Sequence, residues 1–154
     1  RDKNIDLMVS INCSKKLYPE EFSCPPLGTI NIHNSDLPKY GGLMPILHAI
    51  RLGEKENGIS VHFINEELDR GDLIAKAFIP IGKTDDLFSV WERAVDNGVT
   101  LLNDSIASVL AGNAVGRSSA EVDASYYSFP KLSQILSYRK KIFINKLSSL
   151  LRGS

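Results

Sequence analysis

Apolar and polar positions change period several times along the chain, and each change predicts an element. Residues 5–11 (IDLMVSI) are almost continuously apolar, which predicts a strand buried on both faces, as in a parallel sheet. The segment Tyr18-Pro19-Glu20-Glu21-Phe22 predicts a short helix. Residues 29–33 predict a second strand, entered through the turn Pro25-Pro26-Leu27-Gly28. From Leu43 to Leu52 the apolar positions Leu43, Ile46, Leu47 and Ile50 follow helical spacing, with Gly53 as the stop. Pro45 falls in the first turn of that helix, where its missing N–H costs little. Residues 58–65 (GISVHFIN) then alternate strictly, Ile59, Val61 and Phe63 against Ser60, His62 and Ile64, which predicts a half-buried strand.

Residues 73–81 (LIAKAFIPI) predict a further strand, reached through the polar, hairpin-like loop Glu66-Glu67-Leu68-Asp69-Arg70-Gly71-Asp72. Thr84 is the predicted cap of a long helix, with Asp85 and Asp86 favoured by the dipole in its first turn. One face of it continues through Leu87, Val90, Trp91, Ala94, Leu102, Ile106 and Val109 to Gly112-Asn113, with Asn97-Gly98 as a weak point. Residues 126–130 predict a loop and 132–151 a basic amphipathic helix. Strands and helices alternate early, so the predicted class is α/β.

The 154 residues suit one domain with a sizeable core, and the hydrophobic and charged fractions are ordinary for a globular protein. No apolar run of about 18 residues and no secretory signal occur, which predicts no membrane partner and a cytoplasmic location. Cys13 and Cys24 make no disulfide framework and lack metal-site spacing, and free thiols are expected. The net charge is zero but unevenly spread. All 18 acidic residues lie at or before Asp123 and six of the 18 basic ones follow it, so the two parts carry −6 and +6. A basic tail of this kind either meets a polyanion or forms the wet face of a terminal helix docked on an acidic body.

The chemistry concentrates in residues 31–42, NIHNSDLPKYGG. Asn31 and His33, two apart at the end of a strand, share a face. At the carboxyl end of a strand in an open α/β sheet that face looks into the usual binding crevice. An Asn side-chain N–H can donate to a developing oxyanion, and His can move a proton near neutral pH. A strand-end Asn in a turn and a His satisfied by hydrogen bonds are the more frequent alternative for such a pair. Asp69 strengthens the chemical reading, because a carboxylate near an imidazole raises its basicity and orients it. Asp69 is equally a common turn residue before glycine.

NIHNSDLPKYGG, the helix with AIRLG, and then GISVHFINEELDRGDLI resemble the catalytic core of the folate-dependent formyltransferases, a family that includes glycinamide ribonucleotide, methionyl-tRNA and sugar N-formyltransferases. The resemblance is clear over residues 5–82. It implies a formyltransferase-like fold: a Rossmann-like, mostly parallel sheet with an antiparallel portion, lacking its first β-α units. It implies transfer of a formyl group from 10-formyltetrahydrofolate to an amine, with no metal. Asn31 would hydrogen-bond the oxygen of the tetrahedral intermediate, and His33 would assist that and the proton transfers. Asp69 would orient His33 and help move the amine proton to the departing folate nitrogen. Lys15, Lys16, Leu17 and Phe22 would flank the pteridine ring, backbone groups of Ile64, Asn65, Glu66 and Glu67 would bond its edge, and Gly42 would allow a close backbone approach. Core packing for Leu17 and Phe22 and solvated lysines are the alternatives from residue type alone. His62 lies at a family position but faces away from Phe63, and neither it nor His48 is expected to be catalytic.

Where the family usually continues Pro-Ser-Leu-Leu-Pro after its His, this chain has Asn34-Ser35-Asp36-Leu37-Pro38, which puts a charge at an apolar position. Residues 1–115 are expected to form the carboxyl-terminal part of the catalytic domain, and 116–154 an aromatic loop and basic helix packed on it. The acceptor stays open among a small-molecule amine or nucleotide-sugar, an aminoacyl-tRNA and glycinamide ribonucleotide, with tRNA less favoured and a homodimer left open. The alternatives are a formyltransferase-like binding or regulatory module without turnover, and a nucleic-acid binder using the basic tail.

Overall fold

Four β-strands, two very short ones and four helices alternate along the chain in a computed structural model that describes residues 5–13, 15–118 and 123–152. In chain order they are β1 Met8–Ile11, α1 Pro19–Phe22, β2 Thr29–His33, β3 Gly41–Gly42, α2 Pro45–Leu52, β4 Glu56–Phe63, β5 Leu73–Pro80, α3 Leu87–Leu110, β6 Tyr126–Tyr127 and α4 Leu132–Arg152. The main sheet has the order β1-β2-β4-β5. β1 and β2 pair in parallel, while β2–β4 and β4–β5 are antiparallel. The α/β class and the mixed sheet are as expected, and the antiparallel portion holds two of the three pairings in this sheet.

β1 is not buried on both faces. Ile11 is 62% exposed, and so is Ile5 just before the strand, at 56%; among the described residues β1 is an edge strand, paired with β2. β4 departs in the other direction: its predicted solvent face is buried. Ile59 and Val61 pack with Val90, Ala94, Leu102 and Val109 of α3. On the opposite face the loop after β2 closes over Ser60, whose hydroxyl donates to the Ser35 carbonyl at 2.6 Å and accepts from Leu37 N at 3.1 Å. A hydroxyl buried with both partners present costs the fold little.

α3 begins later than expected. Asp86, not Thr84, is the cap: its carboxylate accepts from Ser89 N at 3.2 Å while Ser89 Oγ accepts from Asp86 N at 3.0 Å. Leu87, three residues after Thr84, could not return such a bond. Asp85 instead accepts from Gly82 N at 2.7 Å and pairs with Arg93, which holds its carboxyl below the usual range despite partial burial. The helix runs unbroken through Asn97-Gly98 because the glycine faces the sheet, where a Cβ would lie 3.1 Å from Ile32 Cδ1.

Tyr126–Tyr127, expected within a loop, form β6 and pair in parallel with Gly41–Gly42. α4 lays Tyr138 and Ile142 against the core beside α2. Tyr138 Oη accepts from Leu87 N at 2.8 Å, and Lys146 pairs with Asp86 at 3.2 Å. Lys141 donates to the Arg51 carbonyl at 3.4 Å, at the negative end of α2. Part of the basic tail is thus a docked helix, while Arg139 and Lys140 stay exposed. Among the described residues no helix is long and apolar enough to cross a membrane, and no group of three or more His, Cys, Asp or Glu could hold a metal ion. Cys13 and Cys24 are free and exposed.

Candidate active site

The end of β2 sets the geometry. Asn31 lies directly across from His62 of β4, and His33 across from Ser60. Register therefore brings a third polar side chain, His62, onto the face that Asn31 and His33 share. Its Nε2 is 3.1 Å from Asn31 Nδ2, and the residue is 2% exposed. Burial holds the His62 pKa below its ordinary value, against the raising effects of the Phe63 carbonyl and Asp69, and His33 adds to the lowering.

Asp69 arrives from the loop between β4 and β5 in a left-handed conformation, φ 56°, which Asp tolerates better than most residues. Its Oδ2 accepts from Gly42 N at 2.7 Å. Its Oδ1 lies 3.9 Å from His33 Nδ1 and 4.0 Å from His62 Nε2, so one carboxylate oxygen stands between two imidazoles. The other nitrogen of His33, Nε2, is 3.3 Å from the Tyr40 carbonyl. Asn31, His33 and Asp69 thus converge from separate points of the chain, and each is partly accessible.

Gly42 is fixed by its neighbours. Its φ is +92°, and a Cβ there would lie 2.1 Å from the Tyr127 carbonyl oxygen. The missing side chain serves the approach of β6, and through the Gly42 N–H it serves Asp69. Segment 38–43 is held by residues 125–127: Tyr40 N donates to Ser125 Oγ at 2.9 Å, Gly41 N to the Ser125 carbonyl at 2.9 Å and Leu43 N to the Tyr127 carbonyl at 2.8 Å. The Tyr127 ring stacks between Tyr40, at 5.5 Å, and His48, at 4.4 Å. His48 is buried in α2 against Tyr127, and burial, helped by Arg51, lowers its pKa.

The residues expected to flank a pteridine ring are less alike than the sequence suggests. Lys15 and Lys16 are exposed, and Lys15 pairs with Glu21 at 3.5 Å. Leu17 is half-buried. Phe22 is 8% exposed and its carbonyl accepts from Thr29 Oγ1 at 2.8 Å, so it belongs to the packed layer beneath β2. Ile64 N donates to the Thr29 carbonyl at 2.8 Å, and Glu67 N to Asn65 Oδ1 at 3.0 Å. Those two N–H groups are engaged within the fold, while the side chains of Asn65, Glu66 and Glu67 reach solvent. Asp36, the charge in an apolar family position, pairs with Lys76 of β5 at 2.6 Å.

A family sequence profile described as "Formyl transferase" matches residues 1–106. The chain is 34% identical over 121 residues to a methionyl-tRNA formyltransferase of Synechocystis, covering 79% of this chain and 37% of that protein. It is 38% identical over 105 residues to the methionyl-tRNA formyltransferase of Lysinibacillus sphaericus, covering 68% and 34%. The chain therefore spans just over a third of the length of these relatives. Among solved structures, the formyltransferase PseJ from Anoxybacillus kamchatkensis, in complex with a UDP-linked formamido sugar and tetrahydrofolate, superposes with a TM-score of 0.76 at 22% identity, covering 86% of this chain and 69% of that one. WlaRD, a sugar 3N-formyl transferase, gives 0.74 at 22% identity, covering 90% and 54%. At such identities the likeness is one of fold.

Proposed function

The chain belongs to the formyl transferase family, and on that premise we propose that it supplies the reaction centre of an enzyme that moves a formyl group from 10-formyltetrahydrofolate to an amine. The observation that carries this is the placing of one Asp69 oxygen within 3.9 Å of His33, beside Asn31 and at the end of a sheet strand. The structures of PseJ and WlaRD were obtained with tetrahydrofolate and 5-N-formyl-THF respectively, which supports a folate as donor. The amine of an amino sugar carried on a nucleotide, as in those neighbours, and an aminoacyl-tRNA, as in the curated relatives, are the competing acceptors, with glycinamide ribonucleotide as the third. Residues 1–115 would carry the chemistry, with 116–154 bracing it from outside, in the cytoplasm.

The neutral amine attacks the formyl carbon and forms a C–N bond. The carbonyl oxygen gains negative charge, which Asn31 Nδ2–H would meet; a pre-aimed donor of this kind contributes about 10²–10³ in rate. The bond from carbon to the folate nitrogen then breaks. The proton lost by the amine passes to that nitrogen, with Asp69 and His33 moving it through water, an assistance of about 10²–10⁴. One C–N bond forms, one breaks and one proton changes place with no change of oxidation state, so donor and acceptor exchange one formyl group for one hydrogen.

A formyltransferase-like module that binds without turnover is the second reading, favoured by the 3.9 Å between Asp69 Oδ1 and His33 Nδ1, which is longer than a hydrogen bond. Incubating the complete protein with 10-formyltetrahydrofolate and a panel of amino sugars, aminoacyl-tRNA and glycinamide ribonucleotide, while following folate release, separates the two. Release that depends on one amine is expected. Folate binding with no release for any amine would leave the binding module.

A further inference from the structure

The ring of His62 faces a different partner with each nitrogen, and the two partners together fix its protonation. Nδ1 lies 2.8 Å from the Phe63 carbonyl oxygen. A carbonyl can accept and never donate, so Nδ1 carries the hydrogen. In a neutral ring Nε2 is then a bare acceptor, and it lies 3.1 Å from Asn31 Nδ2, which can donate and never accept. The two contacts require each other. An Asn31 amide turned over would set its oxygen against the Nε2 lone pair, and an Nε2–H ring would set two donors face to face. The pairing is also forced by register, since Asn31 and His62 are opposite one another in the β2–β4 ladder, with His62 packed on every side.

We infer that His62 is a positioning residue for Asn31: its neutral ring, held in the Nδ1–H form by the Phe63 carbonyl, decides which end of the Asn31 amide is turned inward and so which groups are left for the reacting oxygen. One Nδ2 hydrogen is taken by His62, and the second, with Oδ1, remains. The role in turnover rests on the reading of formyl transfer above; the hydrogen-bond relay does not. The arrangement has a consequence with pH. The titratable groups that face His62 are Asp69, at 4.0 Å, and His33 on β2. Adding a proton at Nε2 turns the acceptor into a donor, so the Asn31 amide must turn over and present its groups in reverse.

Two measurements test this. In the 154-residue chain, long-range ¹H–¹⁵N spectra report the His62 tautomer directly. The expected result is a protonated Nδ1 and an unprotonated Nε2 at pH 7.5; an Nε2–H ring overturns the inference without any variant. In the same spectra the Asn31 side-chain amide signals should move in His62→Leu and stay near their original positions in His62→Gln, whose amide oxygen can still accept. Unmoved Asn31 signals in a folded His62→Leu overturn it. In the complete protein His62→Leu should lower kcat by about 10–100-fold, a fraction of what losing one donor outright costs. The KM for the folate donor should shift by less than about 3-fold on the same grounds, and His62→Gln should recover most of the loss. Full kcat in His62→Leu refutes the functional role. If the unaltered protein formylates no amine, the transfer reading fails while the tautomer measurement still decides the relay.

Discussion

Replacing Gly42 by alanine strikes the point where the candidate site is braced from outside. The backbone there has φ +92°, and the new Cβ would sit 2.1 Å from the Tyr127 carbonyl oxygen and 3.0 Å from Tyr126 Cζ. Holding an alanine in the left-handed region costs about 1–2 kcal/mol. The contact with Tyr127 is with backbone, so relief requires β6 to move off β3, an overpacking cost of about 1–3 kcal/mol. The expected loss is about 2–5 kcal/mol, the sum of those two ranges. Gly112→Ala is the control, because Gly112 has φ +70° and among the described residues nothing lies within 4 Å of its added Cβ. It should cost the strain alone. Urea or thermal unfolding of the two variants should therefore differ by about 1–3 kcal/mol, a few degrees to about 12 °C in Tm for a chain of this size. The displaced Gly42 N–H also releases Asp69 Oδ2, so Gly42→Ala in the complete protein should slow turnover while Gly112→Ala should not. Equal destabilisation by both changes would refute the tight seating of β6 on the glycine pair.

Other expectations follow from burial and charge. His62 and His48 are both held below the ordinary His value by burial, so the unfolded chain takes up protons first as pH falls; stability should drop from about pH 6.5 downward, by linkage. Unfolding midpoints that do not change between pH 7.5 and pH 5 would contradict that sign. Ile59→Ala removes a side chain with 0% exposure at the centre of β4 and should cost about 2–5 kcal/mol in denaturant unfolding. The Asp36–Lys76 pair is partly exposed; a double-mutant cycle should give a coupling of about 0.2–1 kcal/mol that shrinks with added salt.

Sequence made local features legible and left long-range ones hidden. The bounds of β2, Thr29–His33, and the proline start and glycine stop of α2 match what composition and spacing predict, because each depends on residues a few positions apart. β6 was hidden because two tyrosines have no period, and their partners, Gly41 and Gly42, lie more than 80 residues earlier. The buried polar face of β4 depends on the 34–38 loop folding over it, which no alternation pattern reports. Thr84, Asp85 and Asp86 are all good caps by type, and the hydroxyl of Ser89 selects among them. The motif singles out Asn31, His33 and Asp69, while the approach of Asp69 to His33 depends on how the loop between β4 and β5 folds. His62 was placed on the correct face by alternation, yet its meeting with Asn31 needed the β2–β4 register. The antiparallel pairing of β2 with β4 is the signal that places His62 opposite Asn31.

The proposed function depends on Asn31, His33 and Asp69 acting as one unit on a single carbonyl. The direct measurement is kcat for Asn31→Ala, His33→Ala, Asp69→Ala and the Asn31→Ala/Asp69→Ala pair in the complete, folded protein, with 10-formyltetrahydrofolate and the acceptor found by screening. Each single change should lower kcat by about 10²-fold or more, and the pair should cost little beyond its worse member. Wild-type turnover in any one of the three, with the fold intact, would contradict the assignment.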